Sequence, residues 1–120
     1  MKPLARTHAE KLMADAMAQY RAARSANDIA TAWAALERAH IISQPFLGPH
    51  LSTHWAMLGF AAGQRDWREA SGQIFRLVLA PLGALTGRIP VGNTGRSNVS
   101  AFKAMPIPDD LQLQLKERRK

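Results

Sequence analysis

The chain has 120 residues, 47% of them hydrophobic and 21% charged, enough for one domain that buries about two-thirds of its unfolded surface. It contains no cysteine, which excludes disulfides, thiolate zinc sites, iron–sulfur clusters and cysteine nucleophiles. The net charge is +7, no apolar run is long enough to span a membrane, and Met1 to Tyr20 lacks the apolar stretch of a secretory signal, so a cytoplasmic protein is expected.

The apolar spacing is helical through residue 81. The first segment, about Leu4 to Ala23, aligns Ala5, Ala9, Leu12, Met13, Ala16, Met17 and Tyr20. Ser25-Ala26-Asn27-Asp28 breaks it and offers a cap. The second, about Ile29 to Ile42, carries Ile29, Trp33, Leu36 and His40 in its stripe. Ser43 to Pro49 turns the chain, with Pro45 and Pro49 as stop signals. The third, about His50 to Ala62, is expected to turn Leu51, His54, Trp55, Leu58 and Ala62 inward. Gly63-Gln64-Arg65-Asp66 is a turn with Asp66 as N-cap. The fourth, about Trp67 to Ala80, presents Trp67, Ala70, Ile74, Leu77 and Val78, and Pro81 with Gly83 ends it.

Residues 87–108 are rich in glycine and proline. Ile89, Val91, Val99, Phe102 and Ile107 are expected to pack this tail on the helices, and Asp109-Asp110 to open a last helix over Leu111–Leu115. The reading is an all-α fold: a compact array of four antiparallel helices in residues 1–86, two helical hairpins loosely like tetratricopeptide units, with an irregular tail in 87–120. A faint echo supports the repeat, Asp28 and Pro45 in one half matching Asp66 and Pro81 in the other.

Residues 1–86 hold nine basic and six acidic side chains, and residues 87–120 seven and three. The basic end, Lys116-Glu117-Arg118-Arg119-Lys120, suits an acidic partner. No alternation of aromatic and basic residues suggests nucleic acid. Gly87-x-x-x-x-Gly92 lacks the lysine of a phosphate loop, because Asn93 stands in its place. Three tryptophans and four phenylalanines are a large aromatic load for so small an array, and a homodimer would share it.

Three of the four histidines lie within fifteen residues. Glu37 precedes His40 by three positions on the second helix, and His50 and His54 are one turn apart on the third. Folding the chain about Pro45 sets His40 level with His50, and Glu37 near the level of His54. Glu-x-x-His and His-x-x-x-His are the spacings with which helical bundles hold metals. Glu37, His40, His50 and His54 are the expected ligands, of zinc, iron, cobalt, nickel or manganese. Leu51 occupies the place of a zinc protease's glutamate base, so binding without catalysis is the first reading. A metal-free helical interaction module is the second, and a metal-dependent oxidase or hydrolase the third. His8 and Glu10 lie near the Pro45 turn by register and are further candidates. Arg76, on the polar side of the fourth helix, is expected in solvent unless the tail or another subunit covers it.

The strings Leu36-Glu-Arg-Ala-His-Ile-Ile-Ser-Gln-Pro45, His50-x-x-x-His-Trp-Ala-Met-Leu58, Arg68-Glu-x-x-Gly-Gln73 and Pro90-Val-Gly-Asn-Thr-Gly95 resemble a bacterial family of small proteins, domain of unknown function 3703. The family has no assigned activity. Some relatives are encoded near heavy-metal regulators and cation-efflux genes, so the resemblance implies a role in metal homeostasis or resistance. Because Glu69 and Gln73 fall within these strings, they join the candidates in the second rank despite their register on the fourth helix.

Overall fold

A computed structural model describes residues 3–87 and 90–117, without the side chains of 3–6 and 117. Ile89 and the Arg118-Arg119-Lys120 end therefore lie outside the described residues, as does the side chain of Ala5. Five helices and no strand are present among the described residues: α1 (Pro3–Ser25), α2 (Ile29–Ser43), α3 (Leu47–Gly63), α4 (Trp67–Thr86) and α5 (Asp109–Glu117). α1 packs on α2, α2 on α3, and α3 on α4. No helix among the described residues is long and apolar enough to cross a membrane.

The α1–α2 and α3–α4 turns share one design. In the first, Asn27 is left-handed (φ 57°), Asp28 N–H donates to Ala23 O at 2.8 Å, and Asn27 N–H donates to Arg24 O. In the second, Arg65 is left-handed (φ 58°), Asp66 N–H donates to Ala61 O at 2.9 Å, and Arg65 N–H donates to Ala62 O. This bond pair closes a helix with a Schellman motif. The aspartate that completes each motif also caps the next helix: Asp28 accepts from Thr31 N–H and Asp66 from Glu69 N–H. The aspartate half of the sequence echo thus corresponds to a repeated turn; the proline half does not, because Pro45 lies between α2 and α3 whereas Pro81 lies inside α4.

Two prolines behave differently from the reading above. Pro49 lies in the first turn of α3, where its missing N–H costs nothing, so the α2–α3 turn narrows to Gln44-Pro45-Phe46. Pro81 does not end α4; the helix runs past it to Thr86 and stops at Gly87, whose φ of 71° suits a left-handed cap.

The core has two parts. One gathers Tyr20, Trp33, Leu36, Met57, Phe60 and Ala70, with Trp33 and Tyr20 each edge-on to Phe60. The other joins Met13, Ile41, Ile42 and Phe46 to Leu111, which docks α5. Arg38 fastens α5 from outside by pairing with Asp110 at 2.9 Å and donating to Gln114 Oε1.

α4 is turned relative to its expected face. It buries Glu69, Ala70, Gln73, Arg76 and Ala80, while Trp67, Ile74 and Val78 stand 63%, 54% and 67% exposed. α3 is rotated too, burying His50, Thr53, His54, Met57, Phe60 and Ala61 and leaving Trp55 exposed. The polar face of α4 is inside because residues 95–99 lie over it and satisfy it. Arg76 donates to Gly72 O, Arg96 O and Val99 O, so the tail covers it. That packing is largely polar: Val91 and Phe102 are exposed, whereas Asn93 is buried.

Candidate metal centre

His40 comes from the last turn of α2, and His50 and His54 from successive turns of α3. At 100° per residue, an i, i+4 pair is only about 40° apart around a helix, so both α3 imidazoles face α2. The close α2–α3 turn sets His40 opposite them. All three residues are buried. Their Nε2 atoms form a triangle with sides of 3.0 Å (His40–His50), 3.1 Å (His40–His54) and 3.2 Å (His50–His54). They form the group of side chains among the described residues that could hold a metal ion.

The outer partners fix how two of the rings present themselves. His40 Nδ1 lies 2.8 Å from Asn93 O. A carbonyl only accepts, so Nδ1 carries the proton and Nε2 is a bare lone pair. His54 Nδ1 lies 2.7 Å from Gln73 Oε1. That amide is oriented by its other end, since Gln73 Nε2 donates to Glu69 Oε2 and to Gly95 O, both at 2.8 Å. His54 is therefore also protonated on Nδ1. Two lone pairs face each other across 3.1 Å. His50 Nδ1 is buried without a hydrogen-bond partner, and neither tautomer of His50 satisfies all three inner nitrogens. With Nε2 protonated, one proton serves two lone pairs; with Nδ1 protonated, three lone pairs converge. A cation at the centre resolves either arrangement. Tetrahedral zinc, with bonds of about 2.05 Å, holds its ligand nitrogens roughly 3.3 Å apart, close to the triangle here.

Protons are poor substitutes for that cation. Burial lowers the His40 pKa well below the usual histidine value, and the neighbouring His54 and His50 lower it further. Burial and then His54 bring His50 down to about 4. Burial lowers His54 against the opposing hydrogen bond to Gln73. Neutral imidazoles at ordinary pH are the form that binds metal.

Glu37, expected among the ligands, is not drawn into this group. Three residues before His40, it sits about 60° round the helix from it, and its carboxylate pairs with Arg96 at 3.4 Å. Burial raises its pKa against the Arg96 charge. Glu69 is buried and pairs with Arg96 at 2.7 Å, while accepting from Ser97 N–H and Gln73. Burial raises its pKa, but the hydrogen bonds from Gln73, Arg96 and Ser97 outweigh it and leave the carboxyl lowered. Glu69 and Gln73 thus orient His54 from outside, the kind of partner that fixes ligand geometry in metal sites. His8 donates to Gln114 O at 2.7 Å and ties α1 to α5. Glu10 is exposed on α1. Neither belongs to the triad's group.

Arg96 and Gly95 emerge only in the structure. Arg96 bridges both glutamates and lies over the Trp33 ring, 3.7 Å from its centroid. Gly95 has φ 84°, and a Cβ there would stand 2.7 Å from the His40 ring, so only glycine lets the loop meet the imidazole. The signal available in sequence was the turn-rich string Pro90-Val-Gly-Asn-Thr-Gly95, which says that the chain bends but not toward what. A cavity of about 240 Å³ opens beside the triad, lined by the three histidines, Arg76 and apolar side chains including Leu79, Leu82 and Phe102.

Neither a curated protein nor a solved structure matches the chain. Residues 7–115 match a family model described as a protein of unknown function (DUF3703), and the chain belongs to that family.

Proposed function

We propose that the protein binds a divalent transition metal through His40, His50 and His54, and serves metal homeostasis in a bacterial cytoplasm rather than catalysis. The observation that carries the reading is the convergence of three buried Nε2 atoms, two of them fixed as lone pairs by Asn93 O and Gln73 Oε1. Glu37 and Glu69 act through Arg96 and Gln73, outside the coordination sphere. Three imidazoles and no sulfur suit zinc, cobalt, nickel, iron(II) or manganese. We take α1–α2 and α3–α4 as antiparallel hairpins, with the tail as a strap across the site.

Metal content of protein purified without an affinity tag, and thermal melting with each metal, test the reading. Free metal at a thousandfold over its Kd stabilises by about 4 kcal/mol. His40→Ala is expected to abolish that shift and His8→Ala to retain it. No shift in the wild type, or equal shifts in wild type and His40→Ala, overturns the proposal.

A second reading concerns assembly and rests on a separate observation. Trp67, Ile74, Phe75, Val78, Leu82 and Leu85 are each more than half exposed on α4, a larger apolar surface than monomers ordinarily leave in water. A second copy of this chain, bringing the same face, would cover it. A monomer mass from light scattering at high micromolar concentration overturns this.

A further inference from the structure

The metal reading leaves a charge unaccounted for. Three neutral imidazoles bring no negative charge to a divalent ion. The cavity beside them has no carboxylate in its wall, and its charged lining residue is Arg76. That guanidinium donates to the carbonyls of Gly72, Arg96 and Val99, and its buried Nε has no partner. The two nearby carboxylates, Glu37 and Glu69, both pair with Arg96. Across these four side chains the charges cancel, so a bound divalent ion adds two positive charges to a buried region. Uncompensated buried charge is costly.

Gln44, Thr86 and Asn93 add neutral polar groups to the wall, and most of the remainder is apolar. Leu79, Ala80, Leu82, Pro90, Ala101 and Phe102 contribute to it, and the cavity holds about 240 Å³. An apolar cavity of about 150 Å³ accepts benzene, so this one accommodates roughly ten non-hydrogen atoms. We propose that the cavity binds a small monocarboxylate with an apolar tail. The carboxylate takes the open position of the metal held by His40, His50 and His54, near the Arg76 charge, and the tail lies against Leu79, Leu82 and Phe102. A closed structural site has no such opening; a three-histidine site with an adjoining cavity does. The inference rests on the metal reading and narrows it to a centre with an exchangeable anionic ligand.

Cobalt(II)-loaded protein tests it, because the visible ligand-field bands report a change of ligand directly. Hexanoate, acetate and 1-hexanol are titrated in turn. Hexanoate is expected to shift the bands saturably. Acetate should bind at least about tenfold more weakly, since each buried methylene adds to transfer, and hexanol should leave the bands unchanged. Phe102→Ser, on an exposed stretch of the tail, should weaken hexanoate while cobalt uptake stays as in the wild type. Bands indifferent to every carboxylate, or acetate binding as tightly as hexanoate, overturn the inference while the metal reading stands. Failure of cobalt to bind at all overturns this inference, and the metal reading falls with it when none of the other metals shifts the melting temperature.

Discussion

The two helix pairs, α1–α2 and α3–α4, use the same turn, but their second helices bury different kinds of surface. α2 turns Trp33, Leu36 and Ala39 inward, and its apolar stripe is the core. α4 turns Glu69, Gln73 and Arg76 inward and leaves Ile74, Val78 and Leu82 outside. Amphipathicity gives the existence of a helix but not the direction of its apolar face. A polar face is buried wherever another segment satisfies it. Here residues 95–99 supply the carbonyls and the guanidinium that Gln73, Arg76 and Glu69 require.

Truncation separates the two buried surfaces most directly. Leu36→Ala, at a fully buried α2 position, is expected to cost about 2–5 kcal/mol. Val78→Ser on the outer face of α4 should stay within about 0.5 kcal/mol in the monomer. Chemical denaturation at low protein concentration measures both, and equal costs would show that the α4 surface is part of a core.

Acid probes the seam between the two pairs, where α2 meets α3. His40, His50 and His54 have folded-state pKa values depressed by burial. The unfolded chain therefore takes up protons first as pH falls. Stability of the metal-free protein should be full above about pH 6.5, the unfolded value, and should decline from there toward pH 4. His50 alone, with a folded value of about 4, accounts for about 3 kcal/mol of that loss. A melting temperature flat from pH 7 to 4.5 would contradict it. Metal-induced stabilisation should fade over the same range.

Gln73→Leu keeps volume and removes the amide. It leaves His54 Nδ1, Glu69 Oε2 and Gly95 O each short of a partner, at a cost of about 1–3 kcal/mol. Metal affinity should fall as well, because the His54 ring loses its orientation. Calorimetric titration with zinc separates this from a purely structural loss: an unchanged Kd would leave Gln73 a packing residue only.

The smallest effect distinguishes the two turns. Asn27 and Arg65 both sit at positive φ, and asparagine tolerates that region better than arginine. Arg65→Gly should stabilise the protein by up to about 1 kcal/mol, and Asn27→Gly by less. The reverse order in thermal melts would place the strain elsewhere.

The helices, their Asp28 and Asp66 caps and the pairing of His40 with His50 were legible in sequence, because each depends on spacing within one or two neighbouring segments. The departures lie where contacts distant in sequence decide. Trp55, Trp67, Ile74 and Val78 were read as core from apolarity, and Val91 and Phe102 as anchors of the tail, yet all six stand exposed; Glu37 was read as a ligand from its level along the helix. On α4 and at Glu37 the outcome was set by Gly95, Arg96 and Ser97, which reach α4 and α2 from more than fifteen residues away.

Local spacing was enough to give a cysteine-free helical chain with turns closed by short-range hydrogen bonds, and to set His40 level with His50 across the turn between α2 and α3. Tertiary structure alone decided which face of α4 is buried, that Glu37 belongs to Arg96, and that His40 and His54 present bare Nε2 atoms. The physical reason is range. Helix formation and capping are fixed by groups a few residues apart, whereas the burial of a polar side chain is settled by whichever distant donor or acceptor reaches it.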